Sequence, residues 1–322
     1  MSRFARLAVA TTVSTMILIA LGGVVRAMEA GLGCPDWPTC YGAPNPPSEL
    51  AAGPLKLAWI EHSHRLWASV VMGLIVALAV AARRTDQPRA VRRATLLLVP
   101  AVVSQALLGA LVVWAKLDAE TVTLHLAGAL TILALSAYVV LHATGRAPIN
   151  PPPRGIGSPS RALLVVATVT ASVTFAQMLL GSSVTGYDAG LAFTTFPSFQ
   201  GRLLPALAAE PAPWLHVAHR ALAYTLAALF VVLVVQVRRR PDVDALVARL
   251  VRLGAVLVIL QIGLGAANIW WRLSAWTVVP HLVVGSWIWL VSVLVVLRTR
   301  WQAGTVAAVA PDVSRAEQLV SR

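Results

Sequence analysis

The chain has 322 residues, 58% of them hydrophobic and 12% charged, where an ordinary soluble domain carries about 25% charged residues. That composition excludes a soluble enzyme and predicts a membrane protein. The formal net charge of +13 does not imply nucleic acid, because the basic residues are strung between long apolar runs rather than gathered on one polar face.

A spanning helix needs about 20 apolar residues. Eight such runs are predicted in chain order, at residues 7–27, 60–82, 94–115, 121–143, 161–184, 214–237, 249–271 and 275–298. No connection is long enough to hide a soluble domain. The first run follows Arg3 and Arg6, as a signal peptide would, but its last turn has a counterpart later in the chain, so it is read as a span. With the N-terminus inside and the sides alternating, 19 of the 26 Lys and Arg residues fall on one side. Lys and Arg enrichment marks the cytoplasmic side, so both termini are expected there. The basicity is then topogenic, with a secondary attraction to anionic membrane lipid.

The eight runs read as a unit of four, repeated. His64-Arg65 returns as His219-Arg220 and His125 returns as His281, offsets of 155 and 156 residues. Gly22-Gly23-Val24-Val25 with Ala30-Gly31-Leu32 returns as Gly181-Ser182-Ser183-Val184 with Ala189-Gly190-Leu191. Gln105 and Gly109, Gln177 and Gly181, and Gln261 and Gly265 are each four apart, so each pair shares a helix face as a polar group beside a packing notch. Four spans per unit give both halves the same orientation across the membrane. The expected fold is therefore an all-α polytopic protein of eight transmembrane helices in two pseudo-symmetric four-helix bundles. The N-terminal bundle covers 1–147, a Pro/Gly-rich cytoplasmic linker 148–160 and the C-terminal bundle 161–301. Residues 302–322 are expected to form a disordered cytoplasmic tail.

Ionisable residues within spans are costly and usually functional. His64, His125, His219 and His281 all lie toward the extracytoplasmic ends of their runs. Within one bundle, two neutral imidazoles facing each other at haem-iron distance make an axial pair. The expected pairs are His64 with His125 and His219 with His281. Arg65 and Arg220 are candidates to meet haem propionates. Glu61 stands one turn before His64, where the second half has His216, so the first half alone offers a carboxylate as proton acceptor. His62 and His142 have no counterparts and receive no ligand role. Cys34 and Cys40 share the first outer loop, where an oxidising compartment permits a disulfide. Either a loop staple or a redox-active pair is consistent with that spacing.

The set Gly31-Leu32-Gly33-Cys34-Pro35-Asp36-Trp37-Pro38, Glu61-x-x-His64-Arg65, His125, Asp188-Ala189-Gly190-Leu191, Phe196-Pro197, His219-Arg220 and His281 resembles the haem A synthase family, in its bacterial form with a first-loop cysteine pair. The resemblance implies oxidation of the C8 methyl of haem O to the formyl of haem A, by successive hydroxylations with water-derived oxygen. It implies that His64 and His125 hold the substrate haem and that His219 and His281 hold a haem b. It further implies that Glu61 is the catalytic carboxylate, and that the protein lies in the inner cell membrane near the haem O-forming farnesyltransferase and oxidase assembly factors. An unidentified acceptor would take the electrons. A diheme b-type electron-transfer protein that leaves its haem unmodified is the competing reading. A transporter of duplicated bundles would show broken helices or midplane charges, and the runs show neither.

Overall fold

The computed structural model describes residues 1–145, 161–203, 205, 210–241 and 243–309. Its eight helices are α1 (Arg3–Ala27), α2 (Ala52–Arg84), α3 (Arg89–Trp114), α4 (Ala119–Ala143), α5 (Arg161–Gly186), α6 (Pro211–Arg238), α7 (Ala245–Trp270) and α8 (Ala275–Val309). All eight are long and apolar enough to cross a membrane, and there is no strand among the described residues. The all-α, eight-span expectation holds. Two boundaries move. α2 begins at Ala52 rather than residue 60, with Pro54 in its first turn, where a missing N–H costs nothing. α8 runs on to Val309, past the expected start of the tail; Ala303, Ala307 and Ala308 are strong helix formers. The linker expected at 148–160 lies outside the described residues.

Side-chain oxygens cap several helix starts. Ser2 accepts from the Ala5 N–H at 3.1 Å, and Asp118 from the Thr121 N–H at 3.2 Å. Asp244 accepts from the Leu246 and Val247 N–H groups and pairs with Arg298 of α8 at 2.9 Å. Such caps satisfy amides that have no partner within the helix.

Two apolar cores fill the ends of the molecule away from the histidines. Phe4, Val71, Ile75, Leu78, Val91, Leu98 and Val139 pack together from α1–α4, and Leu163, Phe230, Leu233, Val247, Val251 and Ile288 from α5–α8. In lipid such packing gains dispersion contacts rather than escape from water, so small residues matter where helices meet. Gly254 is one: a Cβ there would overlap the ring of Phe230. Between these groups Met16, Ile19, Leu133, Ala137 and Leu290 join α1, α4 and α8. Trp289 Nε1 donates to the Leu130 carbonyl at 2.9 Å, and Arg26 donates to the Thr185 carbonyl at 2.9 Å.

The repeat seen in the sequence extends to backbone conformation. Left-handed residues recur at matching places: Glu29 and Asp188, Tyr41 and Gln200, Lys116 and Arg272, Leu117 and Leu273. Trp37-Pro38 and Phe196-Pro197 are both cis, and the bridge between Cys40 and Ala43 is matched by one between Phe199 and Arg202. The stretches 28–43 and 187–202 therefore fold alike at the same end of the molecule, over the histidines.

Candidate functional site

Each pair of consecutive helices carries one glycine and one histidine in the same arrangement. Gly22, Gly109, Gly181 and Gly265 each stand five residues before the end of α1, α3, α5 and α7. Each faces the histidine of the helix that follows. A Cβ at these glycines would lie 3.2 Å from His64 Cε1, 3.3 Å from His125 Cε1, 3.0 Å from His219 Cε1 and 3.3 Å from His281 Cε1. That close approach favours glycine: a methyl there would force the ring edge to give by a few tenths of an ångström. The packing notches expected from the sequence thus receive imidazoles. The four-residue partners are placed as well, since Gln105 Nε2 donates to the main-chain carbonyl of His125 at 2.7 Å and Gln177 Nε2 to that of His219 at 3.1 Å.

In all four rings Nδ1 is buried without a hydrogen-bond partner, while His219 Nε2 lies 3.4 Å from Gln177 Nε2. The His219 and His281 ring centres are 6.5 Å apart. Two metal–imidazole bonds of about 2 Å each, plus about 1 Å from each nitrogen to its ring centre, give roughly 6 Å, so the separation is compatible with one iron between the rings. Among the described residues no three His, Cys, Asp or Glu side chains cluster as they would around a tetrahedral ion. Two imidazoles per bundle suit a metal whose other four ligands come from a macrocycle, as in a bis-histidine haem. The residues present fit that group.

Gly181→Ala should lower the thermal stability of the purified protein by about 1–3 kcal/mol, the usual cost of overpacking, because the added methyl meets the His219 ring. Gly263→Ala, on the same helix as Gly265 but with nothing within 4 Å of its Cβ, should be neutral or gain up to about 1 kcal/mol from helix propensity. Unfolding curves of the two variants in one detergent check this contrast.

Above each pair, an arginine holds the loop. Arg65 Nη1 donates to the Asp36 and Thr39 carbonyls at 2.8 Å each, while Nη2 donates to the Cys34 carbonyl at 3.3 Å and pairs with Glu61. Arg220 Nη1 donates to Ser198 O at 3.3 Å, and its Nη2 to Phe193 O at 3.2 Å and Thr195 O at 2.9 Å. Both guanidinium groups thus donate to loop carbonyls. The sequence reading missed this clamp; its signal was that the arginines recur together with the loops they hold.

Glu61 is buried and completes the first clamp, its Oε2 accepting the Cys34 N–H at 2.8 Å. His216 takes the same place in the second, next to the Phe193 N–H and accepting from Arg220 Nε at 3.0 Å. Glu61 is therefore tied to the cysteine loop, one turn from His64. Cys34 and Cys40 form a disulfide, both fully buried. Asp36 holds the turn that follows, accepting from the Thr39 hydroxyl and from the N–H groups of Tyr41 at 2.6 Å and Gly42 at 2.9 Å. Slight burial acts to raise its pKa, but the hydrogen bonds from Thr39, Gly42 and Tyr41 outweigh it and hold the acid below its usual 3.8. His62 is buried against Trp59. His142 packs on Tyr138 and Trp301 at the opposite end. Neither belongs to a pair.

The family model described as COX15-CtaA, cytochrome oxidase assembly protein, matches residues 5–293. The chain is similar to the heme A synthase of Shewanella oneidensis, 29% identical over 307 residues, covering 84% of this chain and 89% of the relative. It is similar also to the heme A synthase of Paracoccus denitrificans, 29% identical over 297 residues, covering 78% of this chain and 76% of the relative. A third, from Granulibacter bethesdensis, is 27% identical over 310 residues, covering 82% and 80%. With a family match over most of the eight helices, the chain belongs to the COX15-CtaA family of cytochrome oxidase assembly proteins, which takes in the haem A synthases.

Proposed function

We propose that the protein is a haem A synthase, oxidising the C8 methyl of haem O to a formyl group in successive hydroxylations whose oxygen comes from water. The observation that carries this reading is the pairing of two equivalent imidazole seats with only one carboxylate. His64 and His125 hold and orient the substrate haem beside Glu61, and His219 and His281 hold a haem b. Haem b, when bound, supplies a one-electron carrier.

Glu61 reaches the first pocket from the same helix as His64, one turn away. Its carboxylate is buried and fixed at both oxygens, so it is oriented before substrate arrives. In this role it accepts a proton as the methyl carbon or the attacking water gives one up, and such a base contributes about 10²–10⁴-fold. Arg65 holds it in place and keeps the Cys34–Cys40 loop closed over the pocket, which limits the entry of bulk water. The second bundle has no carboxylate at this place: His216 stands there instead, its Nε2 accepting from Arg220. The pairs lie on the extracytoplasmic side of the inner membrane, with both termini in the cytoplasm. The Lys and Arg distribution supports that orientation. Haem O, membrane lipid, an electron acceptor and the farnesyltransferase that makes haem O are the partners this role requires.

Expression of the chain in a host that makes haem O but not haem A tests the proposal. Chromatography of extracted haems should reveal haem A. Recovery of unmodified haems alone would favour the diheme electron carrier.

A further inference from the structure

The two clamps share a shape and differ in charge. In the first, Arg65 is paired with Glu61, and the loop it holds carries the Asp36 carboxylate. In the second, both acids are replaced. His216 stands at the position of Glu61, and its Nε2 accepts from Arg220 Nε at 3.0 Å. A ring that accepts there cannot take up a proton on that nitrogen, so His216 is neutral. Thr195 stands at the position of Asp36: its hydroxyl accepts the Gln200 N–H at 2.7 Å, where Asp36 accepts the Tyr41 N–H at 2.6 Å. Arg220 is 6% exposed and, among the described residues, forms no ion pair with a carboxylate. Its guanidinium instead faces the rings of Phe199 at 4.9 Å and Phe196 at 5.7 Å. One arginine with two carboxylates leaves the first clamp at −1; one arginine with none leaves the second at +1. Both arginines directly follow a histidine of their pair.

We propose that this contrast directs electrons from the N-terminal bundle to the C-terminal one, with Arg220 and its neutral partner His216 raising the reduction potential at the His219–His281 pair. The exchange moves one electron. With haems bound, the centre held by His64 and His125 would give up that electron and the centre held by His219 and His281 would take it up. An uncompensated positive charge in a water-poor site stabilises the state with the additional electron, and net charge near a haem is one of the levers that sets its potential. The negative clamp stabilises the oxidised state of the first site in the same way. Oxidation of a methyl group must remove electrons from the first site, so the bias runs in the direction the reaction needs. The inference rests on the reading of the second pair as a haem site.

The test is a spectroscopic redox titration of the full-length protein carrying His64→Ala and His125→Ala, which leaves only the second imidazole pair. His216→Glu gives Arg220 a carboxylate partner and should lower the midpoint by a factor of ten or more in the reduction equilibrium, about 59 mV for a one-electron couple. His216→Gln keeps a neutral acceptor and should leave the midpoint near that of the parent. If His216→Glu does not fold, Arg220→Gln should give the same downward shift. A bound haem whose midpoint is unmoved by removing or pairing the charge, or moved equally by His216→Gln and His216→Glu, overturns this inference alone. A parent protein that binds no haem overturns the haem-site reading and this inference with it.

Discussion

Glu61→Gln should abolish formation of the formyl haem while leaving two haems bound per chain. The substitution preserves size. The amide oxygen can still accept the Cys34 N–H that Oε2 now accepts at 2.8 Å, and Arg65 keeps its bonds to the Asp36 and Thr39 carbonyls. What disappears is the negative charge and the capacity to take a proton. A positioned general base contributes about 10²–10⁴-fold, so haem A should fall below detection in chromatograms of extracted haems while haem content stays at the parent level. Unchanged haem A would remove Glu61 from the reaction. Loss of haem would mean that its main work is to hold the cysteine loop over the pocket.

His281→Ala should reduce the haem content from two per chain to one and stop product formation as well. The His281 ring sits on Gly265 and faces His219 at 6.5 Å, and among the described residues no group of three or more His, Cys, Asp or Glu side chains could hold a metal by itself. Losing one of two axial bonds removes most of what holds an iron in that bundle. His142→Ala is the matched control. That ring lies at the other end of the molecule against Tyr138 and Trp301, so its removal should leave both haems in place. A pyridine haemochrome assay against protein concentration reads the result. Two haems per chain in His281→Ala would mean that His219 and His281 do not share an iron.

Much of this was legible in the sequence because the physics of the bilayer is coarse. Apolar length alone predicted eight spans, and the repeat offsets of 155 and 156 matched the histidines before any geometry was known. The start of α2 was not legible. Ala52–Trp59 mixes Lys56 and Pro54 with apolar residues, and hydropathy cannot register a helix that continues beyond the hydrocarbon. The continuation of α8 to Val309 was missed for a related reason: alanines form helix well without reading as a span. At the site, Gln105 with Gly109 and Gln261 with Gly265 were visible as a shared face, but not what the face was for. That required knowing that the next helix returns its histidine to the same depth. The arginines were read as anion-binding groups from their charge. Their loop carbonyl partners lie 22 to 31 residues away in sequence, a distance across which composition carries no directional information. Likewise, the neutrality of His216 rests on its ring accepting from Arg220, a contact that residue spacing alone does not reveal.

Haem A synthesis by this chain requires two irons held between facing imidazoles. The most direct measurement is the haem content and visible spectrum of the purified wild-type protein, made in a host well supplied with porphyrin. Two haems per chain are expected, each with the absorption of a bis-imidazole iron. A colourless protein would contradict that requirement.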